Sequence, residues 1–122
     1  MKTPGAARLA AERRGRQAER IAGWWLRLKG WEIVGRRLRT PAGEVDIVAR
    51  RGAMLAFVEV KSRATPAELD LSIDERRLAR VARAAEILWY DLARPGDDMR
   101  IDVILLAPGH PPRHLANVWH GG

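Results

Sequence analysis

The spacing of apolar and polar positions divides the chain into a helix, three strands, a second helix and one or two further strands. From about Ala6 to Lys29, the residues Ala11, Ala18, Ile21, Ala22, Trp25 and Leu28 recur at helical spacing and form one apolar stripe. Arg13, Arg16, Arg20 and Arg27 share the opposite face, and Gly30 stands where a helix often turns left-handed. Glu19 is expected at the edge of the stripe, in line with Leu26 and off both the core face and the arginine face. Trp31 to Arg39 reads as the first strand, closed by the turn composition Thr40-Pro41-Ala42-Gly43. Val45 to Arg50 is the second strand, Arg51-Gly52 a hairpin connection, and Leu55 to Ser62 the third strand. In this third strand Leu55, Phe57, Glu59 and Lys61 share one face, and Ala56, Val58 and Val60 the other. Both faces are largely apolar, which predicts a central strand covered on both sides.

Ala64 to Leu71 reads as irregular. Ser72-Ile73-Asp74-Glu75 matches a capping box, with Ser72 bonding forward to the backbone of Glu75 and Glu75 reaching back. Leu78, Val81, Ala82, Ala85, Leu88, Trp89 and Leu92 carry the apolar face of the second helix, which Pro95-Gly96 ends. Arg100 to Ala107 is a fourth strand, Pro108 to Pro112 a loop, and Leu115 to Trp119 a candidate short last strand. The order predicts a mixed sheet flanked by helices, in the α/β or α+β class. With no internal repeat and no dividing linker, residues 1–122 read as one domain, its tail from about residue 108 loosely ordered or a short last strand.

Charge adds a candidate partner. The chain has 22 Lys+Arg against 15 Asp+Glu, a formal net charge of +7, and nearly all the cations are arginine. The guanidinium is shaped for bidentate contact with phosphate. Even where this composition reflects only a bias toward Arg and Ala, the resulting field attracts polyanions. The absence of cysteine excludes disulfides and thiolate-bound zinc. Any metal site is therefore built from oxygen or imidazole ligands, which favours magnesium, calcium or manganese. No stretch approaches the ~20 apolar residues that span a bilayer. No apolar segment of signal-peptide type follows the basic start, so the expected location is the cytoplasm, with no membrane partner.

The chemistry is concentrated in two neighbouring strands. Asp46 lies inside Val45-Asp46-Ile47-Val48, and Glu59 and Lys61 lie inside Phe57-Val58-Glu59-Val60-Lys61. An unpaired carboxylate on a buried strand is expensive. Glu59 and Lys61 project from one face roughly 6.5–7 Å apart along the strand, and a hairpin between the strands brings Asp46 beside Glu59. Two such carboxylates repel unless positive charge lies between them. Magnesium suits this position, because it takes one or two protein carboxylates plus waters and substrate phosphate. Lys61 is then a candidate catalytic residue, stabilising charge on a phosphate or orienting the attacking water, and the carbonyl of Val60 is a candidate further ligand. The competing reading is an Asp–Lys–Glu cluster that satisfies itself without metal.

The runs Gly43-Glu44-Val45-Asp46-Ile47-Val48-Ala49, Phe57-Val58-Glu59-Val60-Lys61-Ser62-Arg63 and Arg100-Ile101-Asp102-Val103-Ile104, with the Gly15…Glu19 helix opening, resemble the YraN family. These are small bacterial proteins with a restriction-endonuclease-like fold, similar in plan to archaeal Holliday-junction resolvases and other nucleases of the PD-(D/E)xK type. The resemblance covers almost the whole chain, and Phe57 to Arg63 is its most specific stretch. It implies Asp46 and Glu59 as ligands of Mg2+ or Mn2+, Lys61 as the catalytic lysine and Glu19 as an additional acidic ligand. The family pattern has a lysine at the start of the second helix, whereas this chain reads Asp74-Glu75-Arg76-Arg77-Leu78. Arg76 and Arg77 are the candidates to take over its phosphate contact.

Among other residues, Glu44 is either a further metal or water ligand or a solvated turn residue. Arg63 either meets phosphate or is a surface cation. Trp25 and Trp89 fit core stripes, while Trp24 and Trp31 are candidates to stack on an unpaired base. His110, His114 and His120 read as surface residues, and Asp102 as a structural partner of an arginine at a strand start. Three functions follow from these readings. The first is a metal-dependent endonuclease acting on DNA rather than RNA, with branched DNA as a candidate substrate. The others are a non-catalytic nucleic-acid-binding module and an interaction subunit of a DNA-processing complex. Cutting a junction takes two sites, which makes a homodimer a candidate assembly.

Overall fold

The computed structural model describes residues 4–70 and 73–121. Helix α1 spans Pro4–Leu28, and the strands β1 (Glu32–Thr40), β2 (Gly43–Arg51) and β3 (Met54–Ser62) follow it. A short helix α2 (Pro66–Asp70), a long helix α3 (Glu75–Leu92) and strands β4 (Asp98–Leu106) and β5 (Arg113–Leu115) complete the order. The five strands lie side by side in sequence order. β1, β2 and β3 run antiparallel, β3 and β4 parallel, and β5 antiparallel to β4. This mixed sheet with helices on both faces is the α+β arrangement of a restriction-endonuclease-like fold. Among the described residues no helix is long and apolar enough to cross a membrane.

β3 is the middle strand, as its two apolar faces predict. Leu55 and Phe57 join Val48, Val103 and Leu105 under Val81 and Ala85 of α3. Ala56 and Val58 join Ile47, Ala49 and Ile104 under Ala18, Ala22 and Leu26 of α1. The phase of α1 differs from the expected stripe, since Ile21 is 45% and Leu28 81% exposed. Ala18 and Ala22 are buried as expected, and fully buried Leu26 takes the place expected of Ile21 and Leu28. Gly23 sits so close that an added Cβ would lie 2.7 Å from an Arg36 Nη. One consequence is that Glu19, three and four residues before Ala22 and Gly23, is carried toward the sheet and not to the margin of the helix.

Other boundaries also moved. The stretch from Ala64 to Leu71, expected to be irregular, contains α2. There Pro66 opens the turn, the Thr65 hydroxyl accepts the Glu68 N–H at 3.2 Å, and buried Leu69 anchors it to the core. α3 is capped by Asp74, whose side chain accepts the Arg76 N–H at 2.9 Å. Ser72, the expected start of the capping box, lies outside the described residues. The Asp74 carboxylate thus has a structural duty worth about 1 kcal/mol. β5 is shorter and earlier than the strand expected at Leu115 to Trp119. Asn117 turns left-handed at φ 54°, and its N–H bonds Asp102 at 2.9 Å instead of a neighbouring strand.

Candidate metal centre

Asp46 stands where the β2–β3 ladder ends. The last pair is Ile47↔Val58, and beyond it the Val60 N–H donates to Asp46 Oδ2 at 2.8 Å, so the carboxylate takes the place of a strand partner. Alternation breaks here: Val45 packs with the α3-side core and Ile47 with the α1-side core. Across β1, Arg37 falls between the pairs Arg36↔Ile47 and Leu38↔Val45, which sets it opposite Asp46. Arg37 is left-handed at φ 49°, an uncommon conformation for a residue with a side chain, and its Nε donates to Glu19 Oε2 at 2.5 Å. The expected site residues of α1 and β2 therefore meet beside the end of the β2–β3 ladder.

Glu19, Glu44 and Asp46 each offer a carboxylate oxygen within 4.8 Å of the others. Asp46 is pushed up to about 7 by burial first and then by the charge of Glu59, with Glu19 adding to the effect. The Val60 N–H and Arg77 pull it down without reversing the shift. Arg37 pairs with Glu19 and Arg39 with Glu44, so of the three crowded acids it is Asp46, keeping its proton to neutral pH, that is short of positive charge. An all-oxygen donor set with that deficit fits a hard divalent cation.

Glu59 is close enough to act on Asp46 but is not one of the three crowded carboxylates. Its side chain is only 4% exposed, and its Oε1 accepts from Arg77 Nε at 2.8 Å and lies 3.2 Å from Lys61 Nζ. Lys61, 7% exposed, is held below the ordinary lysine value by burial, which the charge of Glu59 opposes and that of Arg77 reinforces. Both sequence readings thus have a counterpart: an acidic group in which Asp46 has no ion pair among the described residues, and next to it a Glu–Lys–Arg cluster that balances itself.

The remaining expected residues divide. Arg77 reaches Glu59, and Arg63, whose Nη1 donates to the Ser62 carbonyl at 2.7 Å, lines with it the cleft at the end of β3. Val60 lies at the same cleft. Arg76 is exposed on the first turn of α3, and its described bond is that of its backbone to Asp74. Glu44, read as ligand or solvated residue, is exposed yet part of the acidic group, and it also pairs with Arg39 at 3.6 Å. Sequence reasoning missed Arg37, because nothing in an alternating Arg36-Arg37 strand announces a left-handed residue.

Two expectations about aromatic and imidazole groups are corrected. Trp31, a candidate for stacking on a base, is buried under the guanidinium groups of Arg51 and Arg100 at 4.5 and 4.9 Å. His114, read as a surface residue, is buried against β4: its Nε2 donates to Asp102 Oδ2 at 2.7 Å, and Lys29 Nζ lies 3.1 Å from its Nδ1. Asp102 does pair with Arg100, at 3.0 Å, and the further bonds to His114 and Asn117 tie the tail to the sheet.

The model of "Uncharacterised protein family UPF0102" matches residues 18–106, a span that includes Glu19, Asp46, Glu59 and Lys61. A UPF0102 protein of Sphingopyxis alaskensis is 66% identical over 112 residues, covering 92% of this chain and 97% of the relative. One from Erythrobacter litoralis is 62% identical with the same coverage of both chains. One from Caulobacter vibrioides is 46% identical over 113 residues, covering 92% of this chain and 90% of the relative. With the family model matched from within α1 to the end of β4 and the relatives aligned almost end to end, the chain belongs to the UPF0102, or YraN, family.

Proposed function

We propose that the protein is a metal-dependent endonuclease of the PD-(D/E)xK type, acting on DNA. The observation that carries the reading is the crowding of Glu19, Glu44 and Asp46, with the Asp46 carboxyl pushed up to about 7, beside a buried Glu59–Lys61 pair. Glu19, Asp46 and Glu59 would hold Mg2+ or Mn2+, with Glu44 and the Val60 carbonyl as further oxygen donors. Bound there, the cation would supply Lewis-acid polarisation of a phosphate and a more acidic water. Lys61 lies at the floor of the cleft and brings an ammonium to the charge that develops on the reacting phosphate. Arg77 and Arg63 bind neighbouring phosphates, and Arg77 leaves Glu59 in doing so. The Val60 N–H orients Asp46 by holding one of its two oxygens.

The test is cleavage of duplex, flap, single-stranded and four-way-junction DNAs with magnesium or manganese. Wild type is expected to cut at least one of them, and Lys61→Ala to lose about 10²–10³ in rate while still binding DNA, because preorganised charge acts on the transition state. Equal cutting by both proteins removes the role of Lys61. A non-catalytic nucleic-acid-binding module is the second reading, favoured by one observation: Glu59 is already compensated by Lys61 and Arg77. Binding of these DNAs with no cutting beyond a metal-free control would establish it over the first.

A further inference from the structure

We propose that the cleft beside the metal centre carries a subsite for one unpaired nucleotide, its phosphate among arginines and its base in an apolar pocket farther along. The inference rests on the nucleic-acid reading above and names the kind of strand that the site takes. The cleft has a volume of about 600 Å³ and runs from Val60 and Lys61 at the end of β3, past α1, to Pro108. Arg14, Lys61, Arg63 and Arg77 line it against one carboxylate, Glu68. Its α1 wall is open because Ala11 and Gly15 project little, and a Cβ on Gly15 would meet nothing within 4 Å. Cations held around such a cleft are suited to a phosphodiester backbone.

Arg14, Ser62 and Pro108 also line a second cavity, of about 420 Å³, so the two adjoin at these residues. There the lining changes character to Ile21, Leu106, Ala107 and Pro112, with Gln17 and His110 as polar groups. Ile21 is one of the large apolar side chains that α1 leaves exposed. A ligand that joins an anion to a flat, mostly apolar ring with hydrogen-bonding edges matches this change along the path. Arg14 and His110 bring planar groups on which a base can stack, and the Gln17 amide can meet a base edge. A duplex has no base to put there, because its bases are stacked and paired inside the helix. The fitting substrate class is DNA with an unpaired nucleotide next to the phosphate held at Lys61, as in a flap, a frayed end or an open branch point.

The experiment measures binding in EDTA, so that no cutting intervenes. The probes are a blunt hairpin duplex, the same hairpin with a short single-stranded tail, and the same hairpin with an abasic tail of equal length. The two tails carry the same phosphates and differ only in bases. The natural tail is expected to bind on the order of tenfold more tightly than the abasic one, as one stacked base implies. Ile21→Ser and His110→Ala, both at exposed positions where the fold tolerates change, are expected to shrink that ratio toward one. Arg14→Ala is expected to weaken both tails. Equal affinity for the two tails overturns the nucleotide subsite and leaves the nuclease reading standing. A ratio that survives both Ile21→Ser and His110→Ala places the bases elsewhere and overturns it as well. Failure to bind any of the three probes at low salt overturns the nucleic-acid reading itself.

Discussion

Asp46 and Asp102 both sit among apolar strand residues, yet their surroundings drive them in opposite directions. Burial pushes Asp102 up, but the bonds from His114 and Asn117 and the charge of Arg100 outweigh it and hold it below the ordinary aspartate value. Its contribution to stability is present at neutral pH and is lost as pH falls through that lowered value. Asp46 has one N–H donor and two nearby carboxylates, so its shift runs from 3.8 up to about 7. Between those values the folded chain keeps a proton that the unfolded chain has released, so the metal-free protein loses stability as pH rises through this window. Asp46→Asn removes that loss. Thermal melts of the metal-free proteins are expected to show the variant more stable than the parent at pH 8, with the gap closing toward pH 5. Metal binding requires the proton to leave, so calorimetry with manganese is expected to show affinity that climbs up to about pH 7 in the parent. Asp46→Asn is expected to bind weakly at every pH.

At the scale of elements, the Glu59 carboxylate joins β3 to α3 through Arg77 and to its own strand neighbour Lys61. The two ends of this cluster are not equivalent. Glu59→Gln leaves the buried Lys61 ammonium without its partner, whereas Lys61→Met leaves Glu59 still bonded to Arg77. Breaking a buried pair from the side that strands a charge costs about 3–5 kcal/mol. Urea unfolding is expected to show Glu59→Gln losing a few kcal/mol and Lys61→Met markedly less. Similar losses in both would mean that the pair is not the tie between strand and helix. The same asymmetry bears on function: Lys61 and Arg77 both meet Oε1 of Glu59, and Arg77, whose side chain is 56% exposed, is the partner with room to turn toward the cleft.

Over the whole molecule, the net charge of +7 is not spread evenly in its effect. Acids gather around Asp46 at the end of the β2–β3 ladder, and cations line the cleft at the end of β3. DNA binding is therefore expected to fall steeply with salt, with a log–log slope near −0.9 for each duplex phosphate neutralised. Removing one cleft arginine, Arg14 or Arg63, is expected to lower the magnitude of that slope by about one. Titrations at several salt concentrations measure it. A slope unchanged by either substitution would place the contact on another face, such as the outer arginines of α1.

The sequence alone determined the order of the long elements, the central place of β3 and the joining of Asp46, Glu59 and Lys61 in adjacent strands. Those features are local: period, turn composition and strand alternation are written into runs of a few residues. It also carried the family signature, since Phe57 to Arg63 is one contiguous strand. What the tertiary structure decided was phase and company. Periodicity places Ala18, Ile21, Ala22 and Leu28 in one stripe of α1; the sheet takes Ala18 and Ala22 but buries Leu26 and leaves Ile21 and Leu28 exposed. That rotation is what delivers Glu19 to Asp46. The carboxylate group gained Glu44 and set Glu59 apart because β2 breaks its alternation at Asp46 and α3 brings Arg77 across, 18 residues from Glu59. His114 lies 12 residues from Asp102 and joins it only when β5 folds back on β4. Contacts of this kind depend on how finished elements pack, and no periodicity within an element records them.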